Sequence, residues 1–372
     1  MSDALSLLAA LVRCPSVSGE EAACRDLLAE WLIARGIPAQ TVGRNVLAVI
    51  EGRAPSVDPG RGLVLCSHID VVPVGPGWTR DPWDGAVEGG RLHGRGSNDA
   101  KSSVAAMAVA AARTDPARLA GRLVLAFVCD EETGGEGAEV LAPQLPAADA
   151  CVVGEPTGLD VCPGQRGLLR ATITARGRSC HASRPWEGVN ALDKAARDVL
   201  AISALDFPGE HPLLGRATLA ATVIAGGTRP NVIPGECTVQ VDGRPTPEWD
   251  NGRMLERLRQ AVDGSEVVVR SERFRPVVTP DEAAIVAVAR AASPRGALRG
   301  FGGVSDLYHL RHLPGVVLGP GTSAASHAPD EWVACEQVEQ AVQVYSALVA
   351  GWLGEARGAA PPRRAGTLES SS

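Results

Sequence analysis

"RLVLAFVCDEETGG", Arg122 to Gly135, joins an unbroken apolar run to three successive carboxylates, Asp130, Glu131 and Glu132. The apolar part has the length of one strand and no polar residue at alternate positions, so both its faces must be covered. Three adjacent carboxylates repel one another. A buried strand end is a poor place for them unless a cation or a proton is close by.

Similar runs lie on either side. "GLVLC" (62–66) and "ACVVG" (150–154) read as buried strands, and "KSSVAAMAVAAAR" (101–113) between them as an alanine-rich helix. Two helices open the chain. Ser18 and Glu21 have the spacing of a capping box for the second, which stops at Gly36 with Pro38 just beyond. Strands alternating with helices predict a parallel or mixed sheet covered on both faces.

The pattern changes after about Gly164. "LLRATITARG" (168–177) alternates apolar and polar residues, as a strand with one wet face does. A helix over about 189–205 follows, then strands "ATLAATVI" (217–224) and "CTVQVDGR" (237–244). A helix over about 251–262 and a strand "EVVVRSERF" (266–274) complete the order β-α-β-β-α-β, a ferredoxin-like unit. From Asp281 the first style resumes with helix, strand, helix and "GVVLG" (315–319). A last helix places Val338, Val342, Tyr345 and Val349 on one stripe. The expected organisation is an α/β catalytic domain of residues 1–165 and 276–355, interrupted by an α+β domain of residues 166–275. Residues 356–372, polar and rich in Pro and Gly, read as a disordered tail.

At 372 residues the chain is long enough for two cores. Its net charge of −7, without a basic stripe, argues against nucleic acid. No apolar run is long enough to span a bilayer, and the first residues lack the pattern of a signal peptide. Nine cysteines without a CxxC pair fit a reducing cytoplasm better than a disulfide framework.

Polar residues recur where the buried strands end. His68 and Asp70 follow the first strand, Asp99 lies at a loop-to-helix junction, Glu131 and Glu132 follow the next strand, and Glu155 the one after. In open α/β sheets the carboxyl ends of the strands form the ligand crevice. Taken singly, each of these residues also reads as a solvated loop residue. His309 and His312, one helical turn apart, read as ordinary helix residues, and Asp130 as solvated. His68 and Asp70, two apart on a strand, face the same side, so Asp70 can hold the far nitrogen of a metal-binding His68. Together with His327 they make a mixed N/O donor set suited to zinc or a related divalent ion. One carboxylate can bridge two such ions about 3.5–4 Å apart.

"SHIDVVP" (67–73), "GWTRDPWDG" (77–85), "LHGRGSNDAK" (92–101), "DEETGG" (130–135) and "GEPT" (154–157) resemble, in order and spacing, the dinuclear zinc aminoacylase and carboxypeptidase family, peptidase family M20. "GRSCHASRP" (177–185), "TRPNVIP" (228–234), "FGGVSD" (301–306) and "SHAPDE" (326–331) extend the resemblance over nearly the whole chain. Acetylornithine deacetylase, succinyl-diaminopimelate desuccinylase and aminoacylase-1 belong to that family. The resemblance implies two divalent ions, zinc first, with cobalt or manganese as alternatives. His68 and Glu155 would hold one ion, Glu132 and His327 the other, and Asp99 both. Glu131 would be the general base, and Asp70 would orient His68. A cis peptide would follow Asp99.

His181 would steady the oxyanion, from a partner subunit in dimeric members. Arg166, Asn231, Arg244, Gly303 and Ser305 would bind substrate. Where the family usually has DMKG, this chain has "DAKSS" (99–103). The implied activity is hydrolysis of the amide bond of an N-acyl amino acid. "GWTRDPWDG" points to an N-acetylated basic amino acid, as in acetylornithine deacetylases. A desuccinylase, a general aminoacylase, a dipeptidase or carboxypeptidase, and a catalytically silent binding protein are the alternatives. The expected partners are a small N-acyl amino acid or short peptide, and a second copy bound through residues 166–275.

Overall fold

A computed structural model describes residues 1–55 and 60–354. The tail expected at 356–372 lies outside the described residues. The first part of the chain contains α1 (Asp3–Val12), α2 (Ala22–Ile33), β1 (Ala39–Val42), β2 (Asn45–Glu51), β3 (Gly62–His68), β4 (Val87–Glu88), β5 (Arg91–His93), α3 (Lys101–Ala112), β6 (Arg122–Val128), α4 (Glu136–Leu141), β7 (Ala150–Val153) and β8 (Val161–Gln165). Then come β9 (Leu169–Arg176), β10 (Cys180–His181), α5 (Ala191–Ser203), β11 (Thr218–Gly226), β12 (Val232–Ile233), β13 (Glu236–Arg244), α6 (Asn251–Ala261) and β14 (Glu266–Ser271). The last part holds β15 (Val277–Val278), α7 (Ala284–Ala292), β16 (Leu298–Phe301), β17 (Gly315–Val317), β18 (Trp332–Ala334) and α8 (Cys335–Leu353).

The large sheet has the order β1-β2-β6-β3-β7-β17-β8-β15, with β16 paired to β8. At its centre β6, β3, β7 and β17 run parallel, while β2 joins β6 antiparallel. The reason for the unbroken apolar runs is visible in β3. Leu63 and Leu65 enter a core shared with α1, α3 and α8, whereas Val64 and Cys66 enter a second core on the opposite face with Leu141 and Leu307. Both faces are covered, so each residue is apolar whichever way it points.

The order β-α-β-β-α-β expected after Gly164 is the order found. The strands form a separate antiparallel sheet, β11-β13-β9-β14. Leu169, Ala171, Ile173 and Ala175 of β9 pack under α5 and α6 in a core of their own, while Arg170 and Arg176 are exposed. The chain leaves the large sheet after Gln165 and re-enters it at Val277, and these two residues are paired across β8 and β15.

Two local expectations fail. Ser18 and Glu21 do not cap α2, because both side chains are bonded elsewhere. The helix expected around His309 and His312 is only a 3-10 turn, Asp306–Tyr308. His309 is buried edge-on against Phe274 and Tyr308, and burial pushes its pKa down to about 4. His312 is exposed, and the two do not form a ligand pair. Among the described residues no helix is long and apolar enough to cross a membrane.

Lys101, one of two lysines in the chain, is fully buried at the start of α3. Its Nζ donates to Leu11 O at 2.8 Å and Cys14 O at 3.0 Å, where α1 has run out of its own donors. Lys101→Met should lower unfolding stability by about 2 kcal/mol, the cost of two carbonyls left without a donor less the relief of no longer burying a charge. Urea titration checks this, with a lower midpoint and an unchanged slope expected.

Candidate active site

His68, Asp99, Glu131, Glu132, Glu155 and His327 come together at the carboxyl ends of β3, β6 and β7. His68 is the last residue of β3, and its Nε2 lies 3.3 Å from Asp99 Oδ1 and 3.9 Å from Glu155 Oε1. His327 Nε2 lies 3.0 Å from Glu132 and 3.7 Å from Asp99 Oδ2. Asp99 thus stands between two histidines, one oxygen towards each. The peptide bond after it is cis. Glu131 and Glu132 lie in a 3-10 turn just past β6, and among the described residues Glu131 has no histidine within ion-pair distance.

Burial and the charge of Glu155 hold the Glu131 carboxyl well above the usual range, with His68 opposing. Burial also raises Glu155. For His68 burial works downward, but hydrogen bonds to Asp70 and Asp99 prevail and raise its pKa well above normal.

The acid turn is held from behind. Asp70 is fully buried, and its two carboxylate oxygens accept the backbone N–H groups of Glu131 at 3.1 Å and Glu132 at 3.2 Å, together with Ser18 Oγ at 2.7 Å. Its backbone oxygen lies 3.0 Å from His68 Nδ1, with the carboxylate further away at 3.5 Å. Asp70 therefore orients the acid turn as well as the histidine. Glu21, also fully buried, accepts from the N–H of Asp130 at 3.3 Å and pairs with Arg44 at 2.5 Å. Arg44 also forks onto Asp130. Asp130 is thus paired and buried, not solvated as its sequence suggests. On the other side Glu331 accepts from Asn98 N at 2.9 Å and Asp99 N at 3.1 Å, and its second oxygen pairs with Arg95 at 2.5 Å. Gly135 closes the acid turn at φ +73°, where a Cβ would come within 2.6 Å of His309 Nε2.

A cavity of about 580 Å³ opens over these acids. Its wall includes Arg244, Gly303, Arg170, Arg270, Phe274 and Phe301. Arg166 and Ser305 are elsewhere. Arg166 donates to Leu214 O at 2.9 and 2.6 Å, and burial beside Arg244 lowers its pKa. Ser305 is buried, donates to Gln165 at 2.5 Å and accepts from Leu307 N at the 3-10 turn. His181 and Asn231 are neighbours at the β10–β12 ribbon, outside this cavity and exposed. Residues 77–85 do not line it either. Sequence reading missed Arg44 and Glu331, whose roles depend on distant partners, and Arg170 and Arg270, which look like ordinary wet-face residues.

The donor set suits a divalent metal. Ligand atoms of His68, Asp99 and Glu132 lie within 4.8 Å of one another. Glu155 Oε1 is buried with no hydrogen-bond partner. Among the described residues no arginine or lysine pairs with Asp99, Glu132 or Glu155.

Fold and site define a candidate divalent-metal centre at the carboxyl edge of a mixed α/β sheet. The family model "Peptidase family M20/M25/M40" matches residues 64–351. A succinyl-diaminopimelate desuccinylase of Cereibacter sphaeroides is 33% identical over 378 residues, covering 92% of this chain and 97% of that protein. Among solved structures, aminopeptidase PepT from Bacillus cereus superposes with a TM-score of 0.76 at 18% identity, covering 94% of this chain and 98% of its own. The metallo-carboxypeptidase Sso-CP2 from Sulfolobus solfataricus gives 0.75 at 20%, covering 95% and 99%. The chain belongs to peptidase family M20/M25/M40.

Arg44→Ala should lower kcat 10- to 100-fold with KM little changed, the usual effect of removing a group that orients metal-site residues. Arg44→Lys should recover only part, because an ammonium cannot fork onto Asp130. Steady-state kinetics of the metal-loaded variants measures both.

Proposed function

We propose that the protein hydrolyses the amide bond of N-acyl amino acids, using two divalent ions, zinc first. The observation that carries this reading is an asymmetry. Asp99, Glu132 and Glu155 each face a histidine, while Glu131, in the same cleft, has none. Three acids and two histidines are a ligand set, with Asp99 common to both halves, and the fourth acid is left for proton transfer. The ions would supply Lewis acidity, polarising the scissile carbonyl and making water more acidic.

Glu131 takes the proton of the attacking water. The water oxygen bonds to the carbonyl carbon, the C–N bond breaks, and the same carboxyl returns the proton to the leaving nitrogen. Arg244, on the cavity wall, is the proposed receptor for the amino acid's carboxylate. The first expectation of an N-acetylated basic amino acid rested on residues 77–85, which lie away from the cavity. The curated relative above is a desuccinylase, which supports a carboxylated acyl group instead.

Residues 166–275 are proposed as lid and dimerisation domain, in a cytoplasmic enzyme. His181, exposed and outside the wall of its own cleft, would then complete the site from a partner. The edge strand β11, with Val223 49% and Ile224 54% exposed, supports pairing there.

Glu131→Gln should cost 10²- to 10⁴-fold in kcat while metal content stays as in the parent. Kinetics beside elemental analysis tests this, and an active variant would remove Glu131 from the role of base. Mixing inactive Glu131→Ala and His181→Ala chains should restore about a quarter of the parent activity if His181 acts across a two-fold interface. No recovery after subunit exchange would place its action within one chain.

A further inference from the structure

The wet face of the α+β sheet is unevenly charged. Side chains on β9 alternate, so Arg170 and Arg176 share the face opposite the core. Val267 and Val269 of the neighbouring β14 pack inward, which leaves Arg270 on that same face. At the end remote from the cleft, Arg176 is matched by two carboxylates, Glu236 at 2.6 Å and Glu266 at 3.4 Å. At the cleft end the proportion is reversed. Arg170, Arg244 and Arg270 all line the cavity, and Asp242 is the one carboxylate paired with any of them, at 2.6 Å from Arg244 and 3.5 Å from Arg170.

Arg270 donates to Thr172 Oγ1 at 2.9 Å and has no carboxylate partner among the described residues. Ser271, next in the chain, is the β-partner of Arg170, so the two guanidinium groups spring from adjacent strands at nearly the same level. A face that needed charge only for solubility would be balanced at this end as it is at the other. The excess lies where the sheet overhangs the metal cleft.

We propose that Arg170 and Arg270 form a second anion subsite of the cleft, which takes a carboxylate beyond the one received by Arg244. This rests on the amide-hydrolase reading and narrows it: the substrate is an N-acyl amino acid bearing two or more carboxylates. A planar fork on each of two strands suits a carboxylate held from two sides. A basic side chain would meet like charge instead, which excludes an N-acetylated diamine-type amino acid from this position.

The second carboxylate belongs either to the acyl group or to the amino acid, and the test separates them. Metal-loaded parent, the Arg170→Ala/Arg270→Ala double variant and an Arg176→Ala control would be assayed with N-succinyl-L-alanine, N-acetyl-L-glutamate and N-acetyl-L-alanine. For at least one of the two dicarboxylates the double variant should raise KM about tenfold or more, with kcat within about threefold and N-acetyl-L-alanine unaffected. The control should match the parent. The substrate that responds shows which end carries the acid.

Equal changes for all three substrates, or none, would overturn the subsite. Calorimetry with succinate and acetate gives a reading independent of turnover. Succinate should bind the double variant about tenfold more weakly, and acetate equally to both. If the parent cleaves no amide yet succinate still discriminates, the hydrolase reading fails and the subsite stands. Unchanged succinate affinity together with an unchanged KM for both dicarboxylates would end the proposal.

Discussion

Three buried carboxylates that never meet the cleft decide where the cleft's own carboxylates stand. Asp70 grips the backbone of Glu131 and Glu132, Glu21 that of Asp130, and Glu331 that of Asn98 and Asp99. Each supplies the acceptors that a strand or helix would have supplied, at the points where regular structure ends and ligand residues begin. A hydrogen bond to a charged acceptor is worth about 1.5–3 kcal/mol, more than a neutral one. In exchange two of the three acids need a counter-charge, and each has an arginine, Arg44 for Glu21 and Arg95 for Glu331. The crowding of negative charge that begins at Asp130 is therefore resolved in two layers. Guanidinium groups balance Glu21 and Glu331 behind the cleft, and histidines face Asp99, Glu132 and Glu155 inside it.

What the sequence reveals follows from this layering. His68, Glu132 and Glu155 are legible because each ends or follows an apolar run, and the carboxyl ends of parallel strands must share one edge. Asp99 and His327 are legible only from the family's order of motifs, since nothing in their local sequence marks them. Arg44 acts through Asp130, 86 positions away, and Arg95 through Glu331, 236 positions away. Neither separation leaves a local trace. Ser18 and Glu21 show the opposite failure. Their spacing satisfies a local rule, but the acid turn makes stronger use of both side chains, and α2 begins without a side-chain cap.

Assignments just outside regular strands are the least secure for a related reason. Within β9 and β14, period-2 alternation decides which residues face the cleft. Arg166 comes one residue after β8 and Ser305 lies in a loop, so no period applies and their directions are set by chance neighbours such as Leu214 and Gln165. Arg170 obeys the period of β9, and Arg270, at the register shift of β14, is held on the same face by its bond to Thr172. Their importance was hidden because a wet-face arginine is unremarkable until the sheet is seen to overhang something.

Two residues of the site carry a conformational cost that this framework must offset. Asp130 and His327 adopt φ of 57° and 63°, in the left-handed region that disfavours residues with a Cβ by roughly 1–2 kcal/mol each. Neither is a glycine, because each side chain has work that glycine cannot do: Asp130 receives Arg44, and His327 faces Glu132 and Asp99. The surroundings restrain both. Asp130 N donates to Glu21, and the His327 carbonyl accepts from Arg95 at 3.5 Å. The same two Arg–Glu pairs that hold the acid turn and the Asp99 backbone therefore also hold the two strained residues. Loss of either arginine would release backbone strain and ligand geometry together, so the effects of such a change on stability and on turnover have one physical origin.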